Sequence, residues 1–209
     1  MLGRSAARPV VTKYRAGVDE LTPSEWSLLH EVRLRGLLVE PADAAHARLV
    51  ELELVRVRAG RIALTDEGRT VHARWAVVAP ADAGYETLTR FDAMFVDLNR
   101  ELLAVCSAWQ VTPSGGPNDH RDARYDWEVV ARLERLHERS APAVRRVGRH
   151  VERFSYHERR LRFALRQIVD EGATEWFTSP RIDSYHTVWN QLHEDLLLAM
   201  GRSRSDEPA

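Results

Sequence analysis

Along residues 86–109 apolar side chains return at alternating spacings of three and four: Leu88, Phe91, Phe95, Leu98, Leu102, Val105 and Trp109. At 3.6 residues per turn this series stays on one side of a helix for about six turns. So long a stripe must be buried against other helices, and a helical bundle with this segment as its spine is the expected solution. The rest of the C-terminal half fits that plan. Further helices are expected over 123–138 (Val129, Val130, Leu133, Leu136), from Ser140-Ala141-Pro142 through Val144, Val147 and Val151, over 156–170 (Leu161, Leu165, Ile168), and over 183–200 (Tyr185, Trp189, Leu192, Leu196). Gly172 stops the third of these, and residues 112–119, rich in Pro and Gly, form a loop.

The N-terminal part follows a different rhythm. Leu21-Thr22-Pro23-Ser24-Glu25 combines a capping threonine, a proline suited to the first helical position and a glutamate that can answer the cap. The helix it starts ends at Gly36. Pro41 opens a second helix with Asp43 in its first turn and Ala45, Leu49 and Leu52 on its buried side. Leu54-Val55-Arg56-Val57-Arg58 then alternates with period two, as does Arg61-Ile62-Ala63-Leu64, and Ala59-Gly60 joins them as a β-hairpin. Thr65-Asp66-Glu67 caps a helix that runs through Val71 and Trp75 toward Val78. Pro80, Asp82 and Gly84 mark a domain boundary.

Composition narrows the function. The 209 residues are 44% hydrophobic, enough for a packed core. Thirty basic against 31 acidic residues leave a net charge of −1, which excludes a globally basic nucleic-acid coat or a polybasic membrane binder but not a local basic patch. Twelve basic and ten acidic residues lie up to Trp75, and eighteen and 21 after it, so the N-terminal part is the more basic. Lys13 is the sole lysine. Cys106 is the sole cysteine and forms no internal disulfide. With no apolar signal core and no membrane-length apolar run, a cytoplasmic protein is expected. No Gly-rich phosphate loop, nucleophile elbow or zinc-helix motif is present, and no cofactor or metal is expected.

Helix, helix, two-stranded hairpin, helix is the order of a winged helix-turn-helix. The strings Leu49-Val50-Glu51-Leu52-Glu53-Leu54-Val55 and Gly60-Arg61-Ile62-Ala63-Leu64-Thr65-Asp66-Glu67-Gly68-Arg69 resemble the end of a recognition helix, the wing and the following helix start of MarR-like transcriptional regulators. The resemblance covers residues 21–78. In the C-terminal half, residues 98–110, Asn118-Asp119-His120 and residues 180–189 resemble the helical half of actinobacterial proteins usually labelled winged-helix regulators. The fold expected is mainly α with a small β-hairpin wing. It comprises a flexible basic arm (1–20), a shortened winged helix-turn-helix (21–79), a helical bundle (85–201) and a polar tail (202–209).

The resemblance implies double-stranded DNA as a partner, a homodimer, and the helix before the wing lying in the major groove. With Val55, Val57, Ile62 and Leu64 turned inward, Arg56, Arg58 and Arg61 must point outward, where they can straddle phosphates. His46 and Arg48, with Asp43, fall on the solvent side of the helix before the wing. One departure stands out. Only 17 residues separate Gly36 from Leu54, whereas two full helices and a turn need roughly 25–30 at about 1.5 Å per helical residue. One helix is shortened or absent, and the head could instead bind protein or serve as support.

Polar residues in the bundle mark a candidate ligand pocket. Asn99, Leu103, Cys106 and Gln110 form one stripe of the spine, and His186, Asn190, His193 and Glu194 form another on the last helix. If the stripes face each other they line a polar cavity walled by Trp109, Tyr125, Trp127, Tyr185 and Trp189, suited to a small-molecule effector. Each residue could equally sit at the surface or bond locally. Cys106 in an apolar helix reads as core, while His186 or His193 with Glu194 could form an acid–base pair. Asp119, His120 and Asp122 read as caps or, less simply, as cation ligands. The leading reading is a dimeric regulator whose helical half senses a small molecule. The alternative is a biosynthetic enzyme or accessory protein with its active site in the helical half and a vestigial or protein-binding head.

Overall fold

The structure, a computed structural model, describes residues 21–41 and 43–206, so the arm expected over 1–20 lies outside the described residues. The chain divides into two compact units, one up to Trp75 and one from Ala76. No helix is long and apolar enough to cross a membrane among the described residues.

In the first unit the order is α1 (Pro23–Arg35), β1 (Leu38–Val39), α2 (Ala44–Glu51), β2 (Val55–Arg58), β3 (Arg61–Leu64) and α3 (Asp66–Ala76). The caps follow from sequence. Thr22 and Glu25 close a reciprocal capping box on α1, and the Asp43 carboxylate accepts from the His46 amide at the start of α2. Thr65 fastens α3 to the hairpin: its hydroxyl donates to the Glu53 carbonyl at 2.7 Å and accepts from the Gly68 amide at 3.0 Å. Ala59 and Gly60 both take positive φ (49° and 68°), the turn that matches the twist of a two-residue hairpin.

The hairpin registers Val55 on Leu64, Val57 on Ile62 and Arg58 on Arg61. Sequence alternation predicts two strands, whereas the sheet has three in the order β1-β3-β2, because Leu38 and Val39 pair with Ile62 and Arg61. Leu29, Val32, Leu49, Leu54 and Ile62 are fully buried beneath this sheet. Val57, expected inward, is 43% exposed, since at the hairpin tip its face has run past the helices. Between α1 and β2 the described residues hold one helix, of eight residues, so one of the two helices of the expected pattern is absent from that interval.

The second unit is built from α4 (Tyr85–Gln110), α5 (Ala123–Gly148), α6 (Arg153–Val169), the short α7 (Glu175–Thr178) and α8 (Tyr185–Ala199). α4 packs on α5 and α8, and α6 on α5 and α8. All seven members of the α4 stripe are buried, each at 5% exposure or less. Two predicted helices are one. α5 runs unbroken from Ala123 to Gly148 with Pro142 inside it, although a proline cannot donate to the preceding turn. Buried Ala141, Val144 and Val147 hold the segment after the proline against the core. Ser184 caps α8, its hydroxyl accepting from the Thr187 amide. Arg202 pairs with Asp92 and Arg204 with Glu194 (3.4 Å), so the start of the polar tail is tied down.

Candidate functional site

Strand pairing places Arg56, Arg58 and Arg61 on one face of the hairpin. Residues two apart on β2 share a face, and Arg61 lies directly across from Arg58. All three are exposed, and among the described residues none has a carboxylate partner. Their side chains stand opposite Val55, Ile62 and Leu64, which anchor the strands from below. Three like charges on so small a ribbon are tolerated because water screens them. The arrangement is a compact cationic face on a fixed backbone.

The helix before the hairpin contributes differently from expectation. His46 is not on the solvent side. It is only 8% exposed, with Nε2 3.6 Å from the Glu40 carboxylate, because the Asp43 cap sets α2 so that His46 and Leu49 share the buried face. Arg48 is half-buried and pairs with Glu51 at 2.9 Å. The exposed positions of α2 include Ala47, Val50 and Glu51, which supply no cation.

Sequence reasoning passed over a buried ladder in the same unit. His30 Nδ1 and His72 Nε2 lie 2.9 Å apart, their rings are stacked 8° from parallel, and Trp26 stacks on His72 at 5.1 Å. A hydrogen bond between two imidazoles needs one of them to present a bare nitrogen, so this contact fixes complementary tautomers. Separations of four residues (Trp26, His30) and three (His72, Trp75) were the available signal.

In the second unit, α4 and α8 do meet along the predicted stripes, but through packed contacts. The Trp189 indole N–H donates to the Asn99 carbonyl oxygen at 3.1 Å, and Trp189 stacks on Phe95 at 5.0 Å. His193 packs on Phe95 at 4.8 Å. Tyr185 is wholly buried with its hydroxyl 3.1 Å from His137 Nδ1, and burial raises its pKa. Cys106 is buried, and desolvation pushes its thiol up to about 12. His186 lies 3.3 Å from the Asn190 amide, and burial lowers its pKa. Glu194 and the Asn190 carbonyl receive Arg204. Trp109 stacks on Phe177 at 4.3 Å, and Gln110 is exposed at the end of α4. Asn99, Trp189, Tyr185 and His193 thus lie in or beside the aromatic core, whereas Gln110 and Glu194 lie toward its margin.

The loop before α5 is a set of internal ties. Asp122 accepts from the Arg124 and Tyr125 amides, and Asn118 donates to the Trp109 carbonyl and to Asp126. His120, at φ 58°, lies 3.1 Å from Asp126 and packs on Trp109 at 4.4 Å. A further network, absent from the sequence reading, joins α6 to α8: Arg153 and His157 bracket the buried Asp195 at 2.8 and 2.9 Å. A carboxylate at zero exposure is sustained only by such close partners.

No protein-family model, no curated protein and no solved structure matches the chain.

Proposed function

We propose that the protein is a DNA-binding transcriptional regulator, with residues 21–75 acting as a shortened winged helix and the helical unit holding two copies together. The observation that carries this reading is the hairpin face: Arg56, Arg58 and Arg61 share one side of the ribbon, are exposed and have no carboxylate partners among the described residues. Guanidinium groups in that setting suit phosphate oxygens, which they engage in pairs. The buried valine, isoleucine and leucine side chains beneath them keep the ribbon from yielding on contact.

The eight-residue α2 adds few groups that could read base edges. Recognition therefore rests mainly on the phosphate backbone, and sequence discrimination is expected to be modest. The effector site belongs to the helical unit in this reading, and the contact of Asn99 with Trp189 is the joint that a ligand would have to open. Gel-shift titration of DNA from upstream of the gene tests the proposal: the wild-type chain shifts it at low salt, and the R56A/R58A/R61A chain does not. Equal shifts by both would refute it.

A second reading has one observation in its favour. Val39 on the edge strand β1 is 73% exposed and Leu37, just before it, 49%, an apolar edge that could accept a strand from a protein partner. Under that reading, Val39→Lys abolishes partner binding and the arginine substitutions leave it unchanged.

A further inference from the structure

The outward face of α6 carries residues that a solvated helix does not need. Tyr156, Arg159, Phe163 and Arg166 follow at spacings of three, four and three, so they form one stripe. Tyr156 and Phe163 are 44% and 43% exposed. Trp176 of α7 meets Phe163 edge-on at 5.2 Å, and Tyr156, Arg159, Arg160, Phe163, Trp176 and Asp183 line an open groove of about 240 Å³, with Arg166 one turn beyond Phe163 at its margin. That volume is small for a drug-sized ligand but suits one leucine- or phenylalanine-sized side chain.

The charges around the groove are unequal in their freedom. Arg160 is held over Tyr156 at 4.9 Å by its ion pair with Asp183: Nε donates to the carboxylate at 3.1 Å and Nη2 lies 2.8 Å from its other oxygen. Arg159 and Arg166 lie 6.0 Å from the Tyr156 and Phe163 ring centres, respectively, and among the described residues neither has a carboxylate partner. Their positions are seven residues apart, about 10 Å along the helix. Exposed Asp170, Glu171 and Glu175 follow beyond the stripe. A long polyanion such as a nucleic acid would run into these carboxylates, whereas a short anionic segment would not.

We infer that this groove docks an acidic peptide segment of a partner protein, one apolar side chain seated against Phe163 and Trp176 and a carboxylate on each side received by Arg159 and Arg166. An extended segment of the pattern acidic–x–apolar–x–acidic presents all three groups on one face over about 13 Å, within reach of the two flexible guanidinium groups. Such a site is weak and fast, as fits one anchor with two exposed ion pairs. It uses no residue of the hairpin, so it stands or falls apart from the DNA-binding reading.

The test uses the full chain and a fluorescein-labelled peptide, Gly-Glu-Ser-Phe-Ser-Glu-Gly, read by fluorescence anisotropy. Saturable binding, lost when both glutamates are replaced by glutamine and weakened at least tenfold by R159E/R166E, supports the inference. Both substituted residues are exposed, so the variant is expected to keep its fold, which circular dichroism checks. Phe163→Ala should weaken binding with both arginines intact. Equal binding of the glutamine peptide, or no effect of R159E/R166E, overturns it. Tighter binding of a single-stranded oligothymidine that displaces the peptide overturns it in favour of nucleic acid. A dimer that dissociates on R159E/R166E in sedimentation overturns it in favour of a second copy of the chain.

Discussion

Gly68 is the most exacting position in the first unit. A Cβ added there would sit 1.9 Å from the Leu54 carbonyl oxygen and 2.9 Å from its carbon. Carbon–oxygen contacts run at about 3.3 Å or longer, so α3 would have to retreat from the hairpin by more than about 1 Å. The same carbonyl accepts from the Thr65 amide at 3.1 Å and lies 3.2 Å from the Thr65 hydroxyl, so the retreat also stretches the tie between hairpin and helix. Overpacking against backbone costs about 1–3 kcal/mol and each weakened hydrogen bond about 1 kcal/mol. Helix propensity works in the opposite direction, favouring alanine by up to about 1 kcal/mol. The balance for Gly68→Ala is a loss of about 2–3 kcal/mol. Urea unfolding of the full chain, followed by tryptophan fluorescence, reads it. Trp26 and Trp75 report the first unit, and its midpoint should fall by on the order of 2 M. An unchanged or raised midpoint would mean that propensity wins and that the close approach of α3 to Leu54 is wrong.

Three further outcomes follow from the second unit. With its pKa near 12, the Cys106 thiol is about one part in 10⁴ ionised at pH 8, so a disulfide reagent should label the native chain over 10³-fold more slowly than the urea-unfolded chain. Asn99→Ala leaves the fully buried Trp189 indole N–H without its acceptor, which should lower the melting temperature by on the order of 5 °C in calorimetry. His137 and His186 both have pKa values lowered by burial. The unfolded chain then binds more protons below its own histidine pKa of about 6.5, so stability should be constant above that pH and fall as pH drops below it. Chemical denaturation at pH 7.5 and 5.5 checks this, and replacing both histidines by glutamine should flatten the difference.

How far the sequence alone leads depends on how local the determinant is. The capping box of Thr22 and Glu25, the Ala59-Gly60 turn and the α4 stripe are set by neighbours within one or two turns, and each is found where the residues predict it. β1 is two residues long and exists only because β3 lies beside it, so no periodicity announces it. α5 passes through Pro142 because tertiary burial of the following valines outweighs the missing amide. His46 turns inward because of how Asp43 aims the start of α2, a geometric fact that a binary pattern on eight residues does not resolve. The α6 groove escapes notice for a similar reason: Phe163 lies off the Leu161, Leu165, Ile168 stripe and Trp176 lies on a separate short helix, so only packing brings the half-exposed Phe163 against Trp176.

In the proposed regulator the hairpin arginines neutralise DNA phosphates. Binding of a duplex by the wild-type and R56A/R58A/R61A chains, measured by anisotropy across a salt series, tests it most directly. Each neutralised phosphate contributes about 0.9 to the slope of log K against log salt, so three contacts predict a slope shallower by about 2.7 per bound protomer in the variant. Parallel slopes for the two chains, or a wild-type chain that ignores duplex at low salt, would contradict it.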